Sequence, residues 1–210
     1  MKRVISNAIA ALLFGRLTSL YDAWTWVISL GRWRAWQLTA VSHVQGPRIL
    51  ELGCGPGHLV AAIAATGSAC CALDNSIGML KQARKNTARE DTTVSLVRGL
   101  AQELPFTSGS FDTAILCFSG LAWLPQVLAE CRRILSPSGL LLVVDEVSPA
   151  RGSVRAAFVR RALSLFDCDD GSVRHETPLR EAGFDVSVAD ERVDGDVVRL
   201  LLGRRLAGAA

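Results

Sequence analysis

The sequence has no paired CxxC motif, although it contains six cysteines in 210 residues. Structural zinc sites usually draw on closely spaced pairs of ligands, so this absence argues against zinc, and we predict no bound metal. Four of the cysteines fall inside or beside apolar runs. That placement is typical of reduced cysteine in the core of a cytosolic protein.

The sequence also lacks a large excess of positive or negative charge. Charged residues make up 20% of the chain, the net charge is +3, and the basic residues are scattered. Nucleic-acid-binding proteins usually carry a concentrated basic patch, so we expect no nucleic-acid partner. Hydrophobic residues make up 50% of the chain, which excludes a disordered protein and fits an α/β protein with buried central strands.

A convincing targeting or membrane-spanning segment is missing as well. The N-terminus reads MKRVISNAIAALLFG, but Ser6 and Asn7 interrupt its apolar stretch and no A-x-A cleavage site follows. Residues 52–73 carry no formal charge, yet Pro56 and four glycines indicate a loop and a short helix there. We therefore predict a cytoplasmic protein.

Apolar runs alternate with helical patterns, and there is no internal repeat. This alternation predicts βαβ units and a largely parallel sheet. Five strands are predicted, over residues 48–52, 68–74, 92–99, 111–118 and, after a turn at 136–139, the run LLLVVDEV. A helix is predicted between His58 and Gly67, and Ser76 is placed to cap a helix whose apolar stripe includes Ile77.

The C-terminal part follows a different pattern. FDVSV and VVRLLL are separated by Asp194-Gly195, and Asp-Gly is a strong hairpin signal.

Before the fifth strand, Pro125 opens a helix whose apolar stripe runs from Val127 to Leu135. The predicted fold is a Rossmann-like α/β sheet of seven strands, five of them parallel, followed by an antiparallel hairpin, with helices on both faces.

The first predicted strand runs into a glycine-rich loop, ILELGCGPGHLV (49–60). Glycine is required where φ is positive or where a ligand approaches the main chain, and parallel sheets bind ligands at this edge. Dinucleotides and S-adenosylmethionine both bind in this way. A dinucleotide loop reads G-x-G-x-x-G, whereas here the last glycine comes one residue early, at Gly57, and His58 takes its place. Asp74 ends the second strand, where its two oxygens suit the two hydroxyls of a ribose.

Four motifs then occur in order: ELGCGPGH, the end of ALDNS, LPF with SFDTAILCFS, and RRILSPSGLLLVVDE. Together, over residues 21–203, they resemble the class I S-adenosylmethionine-dependent methyltransferases. LYDAWTWVISLGRWRAW and the LPF block are similar to the methyltransferase type 11 and quinone-biosynthesis C-methyltransferase-like group. The resemblance implies S-adenosylmethionine as cofactor and in-line methyl transfer to a small, lipophilic acceptor.

The resemblance also implies a cofactor site in the loops that follow the first four strands. Its residues are Glu51, Gly53, Cys54, Gly55, Gly57, Asp74, Asn75, Met79, Leu100, Ala101, Cys117 and Phe118. The glycine loop would line the methionine and ribose end, residues 75, 79, 100 and 101 the adenine, and residues 117 and 118 the sulfonium. Family members often carry Asp or Asn where this chain has Leu100, which cannot accept a bond from the adenine amino group.

Some of these residues have structural alternatives. Glu51 is as well suited to anchoring the glycine loop as to touching the cofactor, and Cys117 and Phe118 suit the core. His58, His43 and His175 are the possible general bases, while an exposed helix start for His58 and a solvated loop for His175 are the structural interpretations. A base is needed only if the acceptor must lose a proton.

Four tryptophans lie between residues 24 and 36. We predict that residues 1–45 form a helical lid on the acceptor side of a cofactor-binding domain at 46–210, the whole being one compact unit. Arg16, Arg32 and Arg34 would suit peripheral contact with anionic lipid. Packing of the tryptophans on the sheet is the alternative.

For function, the alternatives are a catalytically inactive methyltransferase-like protein and an NAD-dependent oxidoreductase. The acceptor, the methylated atom and the oligomeric state stay open.

Overall fold

The computed structural model describes residues 21–88, 94–118, 124–148, 157–158 and 176–206. The strands are β1 (Arg48–Leu52), β2 (Ala69–Asp74), β3 (Val94–Arg98), β4 (Phe111–Cys117), β5 (Leu135–Ser148), β6 (Phe184–Val193) and β7 (Asp196–Arg205). The helices are α1 (Tyr21–Ser29), α2 (Trp33–Leu38), a 3₁₀ helix (Thr39–His43), α3 (His58–Ala64), α4 (Ile77–Thr87), α5 (Pro125–Ile134) and α6 (Glu176–Glu181). His175, Arg16 and the first 20 residues of the predicted lid lie outside the described residues.

The seven strands form one sheet in the order β3-β2-β1-β4-β5-β7-β6. Strands β1 to β5 pair in parallel, and β7 pairs antiparallel with both β5 and β6. The predicted Rossmann-like sheet with a C-terminal antiparallel hairpin is thereby confirmed. Strand order reverses between β1 and β4, so the loops after these two strands border the crevice where such sheets bind ligands.

The hairpin at the end of the chain turns at Asp194 and Gly195. Their φ angles are 49° and 87°, and two successive left-handed residues are what a type I′ turn requires. Val193 pairs with Asp196 across this two-residue loop. The Asp-Gly signal therefore located the turn correctly.

The predicted turn at residues 136–139 lies inside the bounds of β5 and not before them. Leu135 already pairs with Phe111, and the next paired residues are Thr113 and Leu140. The four intervening residues of β5 therefore bulge out of the ladder, with Ser138 at a φ of 65°. Leu135 belongs to the strand and not to the apolar stripe of α5.

Two hydrophobic layers cover the faces of the sheet. One of them packs α3 and the segment before β1, through Trp36, against strand residues such as Ile49 and Leu142. The other contains the predicted stripe of α5, in which Val127, Leu128, Cys131 and Ile134 are all buried. Burial raises the pKa of the Cys131 thiol to about 12, as expected for reduced core cysteine.

Among the described helices, none is long and apolar enough to cross a membrane. Nor do the described ranges contain a group of three or more His, Cys, Asp or Glu residues able to hold a metal ion.

Candidate functional site

The glycine loop after β1 is fixed to its neighbours through its backbone. The N–H groups of Gly53 and Cys54 both donate to the carbonyl of Leu73, at 2.8 and 3.1 Å. The side chain of Asn86 in α4 donates to the carbonyl of Pro56 at 2.9 Å. The loop is therefore held in one shape against the end of β2.

The loop glycines serve two different purposes, although Gly53, Gly55 and Gly57 all have positive φ, at 70°, 52° and 77°. A β-carbon on Gly57 would lie 2.9 Å from the β-carbon of Ala83, so Gly57 lets α3 pack closely on α4. A β-carbon on Gly55 would meet no atom within 4 Å. Gly55 thus borders open space, which is the arrangement expected where a ligand approaches bare backbone.

The Asp74 carboxylate lies against this loop. Its Oδ2 accepts a hydrogen bond from the N–H of Gly55 at 2.9 Å, and its Oδ1 accepts one from the N–H of Ser76 at 2.8 Å. Each carboxylate oxygen can accept two hydrogen bonds. One acceptor position therefore remains on each oxygen, and the pair suits a vicinal diol.

Glu51 is more deeply buried, with a relative exposure of 1%. Its Oε2 accepts a hydrogen bond from the N–H of Val60, in the first turn of α3, at 3.0 Å. Burial, with a contribution from the negative charge of Asp74, raises the pKa of Glu51 to about 8. This placement favours the loop-anchoring interpretation of Glu51 over direct ligand contact.

The residues expected beside the adenine differ in their accessibility. Asn75 and Leu100 are exposed, Leu100 by 54%, whereas Met79 and Ala101 are buried. Ile77, which we assigned to the apolar stripe of α4, is also 54% exposed. It begins the helix and lies outside the buried face that Met79, Leu80 and Ala83 form. Ile77 and Leu100 thus leave apolar surface open in the loops after β2 and β3.

Phe118 follows β4 and is held in an unusual conformation. Its φ is 46°, which is uncommon and strained for a bulky residue. Strained backbone conformations of this kind cluster at functional sites. Its N–H donates to the carbonyl of Val144 at 2.9 Å. Its ring packs on Trp33 of α2 with ring centroids 4.7 Å apart. Cys117 beside it is buried. The rings of Phe118 and Trp33 lie past the end of β4, and we call this pair the aromatic wall.

The N-terminal segment touches the start of α3 as well. The Nε2 atom of His58 lies 3.1 Å from Oδ1 of Asp22 in α1. His43, in the 3₁₀ helix, lies 2.8 Å from Glu191 of β6 through its Nε2. Sequence reasoning found these histidines but not their carboxylate partners, because pairs 36 and 148 residues apart leave no local signal.

Comparison with known proteins assigns the chain to a family. Residues 49–139 match a family model described as a methyltransferase domain. The demethylmenaquinone methyltransferase of Parafrankia sp. is 31% identical over 170 residues, which are 71% of this chain and 67% of that protein. The chain belongs to the class I S-adenosylmethionine-dependent methyltransferases.

Another relative within this methyltransferase family is the demethylmenaquinone methyltransferase of Clavibacter sepedonicus. It is 35% identical over 160 residues, or 73% of this chain and 62% of that protein. The chain thus spans less than two thirds of the length of several curated relatives that it matches. A solved structure from Thermotoga maritima, described as a SAM-dependent methyltransferase and possible histamine N-methyltransferase, superposes with a TM-score of 0.63. At 19% identity, covering 91% of this chain and 97% of that one, it supports the methyltransferase fold.

S-adenosylmethionine is the cofactor of this methyltransferase family, and the crevice fits it. The open side of Gly55 leaves room for a ligand against the backbone, and Asp74 keeps an acceptor position on each oxygen. Both features lie at the carboxyl edge of the sheet, next to the point where the strand order reverses.

Proposed function

We propose that the protein transfers a methyl group from S-adenosylmethionine to a small lipophilic acceptor of the quinone class. The observation that carries the methyltransferase part is the Asp74 carboxylate held against the backbone of Gly55 beside open space. The acceptor class is supported by the relatives, which are named for methylating demethylmenaquinone. The aromatic wall of Phe118 and Trp33 would suit a flat ring.

In this proposal the chain's own residues hold and orient the reactants. Asp74 accepts hydrogen bonds from the ribose hydroxyls, and Gly55 lets the cofactor lie against the main chain. Ile77 and Leu100 offer apolar surface on either side of the adenine, in place of a hydrogen bond from residue 100. The sulfonium supplies an electrophilic methyl group when the cofactor is bound. Alignment of two bound reactants alone can lower a barrier by ~7–11 kcal/mol.

Neither described candidate for a general base is well placed for that role. His58 has Asp22 beside its Nε2 atom, and His43 lies beside Glu191 of β6. We propose that His58 joins the N-terminal segment to the cofactor loop and that positioning supplies most of the rate. His175 lies outside the described residues and keeps its place as a candidate base.

Calorimetry with S-adenosylmethionine and S-adenosylhomocysteine tests the cofactor site. Asp74→Ala should weaken binding by about 100-fold or more, since two hydrogen bonds to a charged group are lost. Asp74→Asn keeps one side-chain oxygen, so its cofactor affinity should lie between those of the unaltered chain and Asp74→Ala. Asp185→Ala is the matched control, because that carboxylate lies exposed on β6. Absence of binding by the unaltered chain would refute the proposal.

Labelled methyl donor with a panel of quinols tests the acceptor. Incorporation into a quinol-type acceptor, lost in Asp74→Ala, is the expected result. Cofactor binding without turnover on any acceptor would instead support the catalytically inactive alternative.

A further inference from the structure

Helix α2 carries a buried hydrogen-bond donor without a partner. The indole N–H of Trp33 is shielded from water, and no described residue accepts a hydrogen bond from it. Trp36, one turn further along α2, shows the usual arrangement, since its indole N–H donates to Asp196 at 3.2 Å. A buried donor that stays unpaired costs stability, so its presence in a folded protein points to a missing partner.

A buried acceptor without a partner lies on the same side of this helix. The side-chain oxygen Oε1 of Gln37 is shielded from water and receives no hydrogen bond from the described residues. Gln37 follows Trp33 by four positions, and side chains at that spacing are neighbours on a helix surface. Both side chains are only partly buried, so the two atoms lie just beneath the surface. We call the Trp33 indole N–H and the Gln37 oxygen the polar pair of α2.

The polar pair of α2 belongs to the aromatic wall. The indole that carries the unpaired N–H is the ring that packs on Phe118, with ring centroids 4.7 Å apart. Phe118 follows β4 at the carboxyl edge of the sheet, next to the point where the strand order reverses. The unpaired donor is therefore part of the surface against which the ring of the proposed acceptor would lie.

A hydroxyl group matches the polar pair better than a carbonyl or an ether does. The oxygen of a hydroxyl accepts from an N–H while its hydrogen is donated to a second oxygen, so one hydroxyl satisfies both atoms. A carbonyl or ether oxygen could accept from Trp33 but would leave Gln37 unpaired. Neither atom of the pair carries a charge, so the pair suits a neutral group.

We propose that the polar pair of α2 binds a ring hydroxyl of the methyl acceptor, with Trp33 donating to its oxygen and Gln37 accepting its hydrogen. This inference rests on the proposed function and narrows the acceptor to a hydroxylated ring, a quinol in preference to a quinone. The two hydrogen bonds hold the ring in one orientation against the aromatic wall. Trp33 and Gln37 thereby determine specificity and take no proton.

Calorimetry with two naphthalene probes tests this proposal. Naphthalene-1,4-diol, kept reduced, can donate a hydrogen bond, whereas 1,4-dimethoxynaphthalene has the same ring and oxygens but cannot donate. With S-adenosylhomocysteine present, the unaltered chain should bind the diol about tenfold more tightly than the diether. Equal affinities for the two probes would overturn the proposal.

Two variants remove the polar atoms and keep side chains of similar shape. Trp33→Phe and Gln37→Met should each weaken diol binding about three- to tenfold, because each loses one hydrogen bond. Gln37→Met should leave diether binding unchanged. Trp26→Phe is the matched control, because Trp26 is exposed by 63% on the neighbouring helix α1. Its affinity for the diol should equal that of the unaltered chain.

Stability measurements separate a binding role from a structural one. Gln37→Met replaces a buried unpaired acceptor with an apolar group, so the melting temperature of the free chain should stay the same or rise. A structural role predicts a lower melting temperature with unchanged diol binding. If the polar pair holds only a buried water, both variants will bind the diol as the unaltered chain does. Either result overturns the proposal.

The indole N–H resonances of nitrogen-15-labelled tryptophan report on the contact in the unaltered chain. The signal that is missing in Trp33→Phe belongs to Trp33, and adding the diol should move this signal while adding the diether moves it less. A Trp33 signal that does not respond to the diol, in a chain that binds it, would contradict the assignment.

Cofactor binding and methyl transfer distinguish this proposal from the proposed function. If S-adenosylhomocysteine binds and a quinol is methylated, but the variants at Trp33 and Gln37 bind the diol normally, this proposal fails and the proposed function stands. A chain that does not bind the cofactor refutes the proposed function, and this inference falls with it.

Discussion

The carboxylate of Glu51 accepts a hydrogen bond from the backbone N–H of Val60 at 3.0 Å, which fastens the end of β1 to the first turn of α3. Gly57 caps that helix without a side chain, so Glu51 supplies from a neighbouring strand the acceptor that a Ser or Asp cap would provide. The contact fixes the glycine loop at both ends, and its cost is a buried carboxyl group.

Stability should therefore depend on pH through Glu51. Its pKa is about 8 in the folded chain and near its ordinary value of 4.5 in the unfolded chain. Between these values the folded state holds a proton that the unfolded state has released. The free energy of unfolding should thus fall as pH rises from about 5 to about 8, by on the order of 2–4 kcal/mol.

Urea unfolding across this pH range, compared with Glu51→Gln, measures that contribution. The glutamine oxygen can still accept from Val60 but has no proton to release, so the variant should lose less stability as pH rises. Parallel stability curves for the two proteins would contradict the assignment.

Alanine substitutions at Gly55 and Gly57 should separate binding from stability. Both force a β-carbon into a left-handed conformation, at a cost of ~1–2 kcal/mol. Gly57→Ala also presses on Ala83, so it should lower the melting temperature further. Gly55→Ala meets no protein atom and should instead weaken S-adenosylhomocysteine binding by about tenfold or more. Equal effects of both changes on binding would count against Gly55 as the cofactor-facing glycine.

The docking of α2 should depend strongly on Asp196. This buried carboxylate accepts from Arg32 at 2.6 Å and from the indole N–H of Trp36 at 3.2 Å. Asp196→Ala removes the acceptor from both groups and should cost ~3–5 kcal/mol in urea unfolding. The exposed pair of Asp190 with Arg199 offers the control, and Asp190→Ala should cost less than ~1 kcal/mol. A small effect at Asp196 would show that α2 is held mainly by its apolar contacts.

The rings of Trp33 and Phe118 should be energetically coupled. A double-mutant cycle with Trp33→Leu and Phe118→Leu should give a coupling energy of ~0.5–1.5 kcal/mol, as expected for rings in contact. If the ring pair also forms the acceptor wall, both single variants should raise KM for the acceptor and leave cofactor binding unchanged. Additive unfolding energies would contradict direct contact.

Much of the fold could be predicted because its signals are local. Arg48–Leu52 has the bounds that the apolar run RILEL predicts, Asp194-Gly195 marks its turn, and Ser76 caps α4 by accepting from the N–H of Met79. The turn at 136–139 was expected to precede the fifth strand, whereas β5 already begins at Leu135. The early start follows from the pairing of Leu135 with Phe111, which no local sequence signal marks.

The site was predictable to the level of loops. Sequence reasoning chose the loops after β1 to β4, and the sheet brings their ends to one edge. It could not determine which way Met79 or Ile77 points, because the two residues differ by half a helical turn at the start of α4. Nor could it find the contact of Trp33 with Phe118, since residues 85 positions apart in sequence meet only through the packing of α2.

The burial of Trp36 among Ile49 and Leu142 bears on how this protein can be redesigned. The segment ahead of β1 supplies part of the layer that covers the sheet, so it is not an interchangeable cassette. Grafting the corresponding segment of a relative, to change which acceptor is methylated, would leave a mismatched interior surface. Such a chimaera would need compensating changes on β1 and β5 before a change in its acceptor specificity could be attributed to the grafted segment.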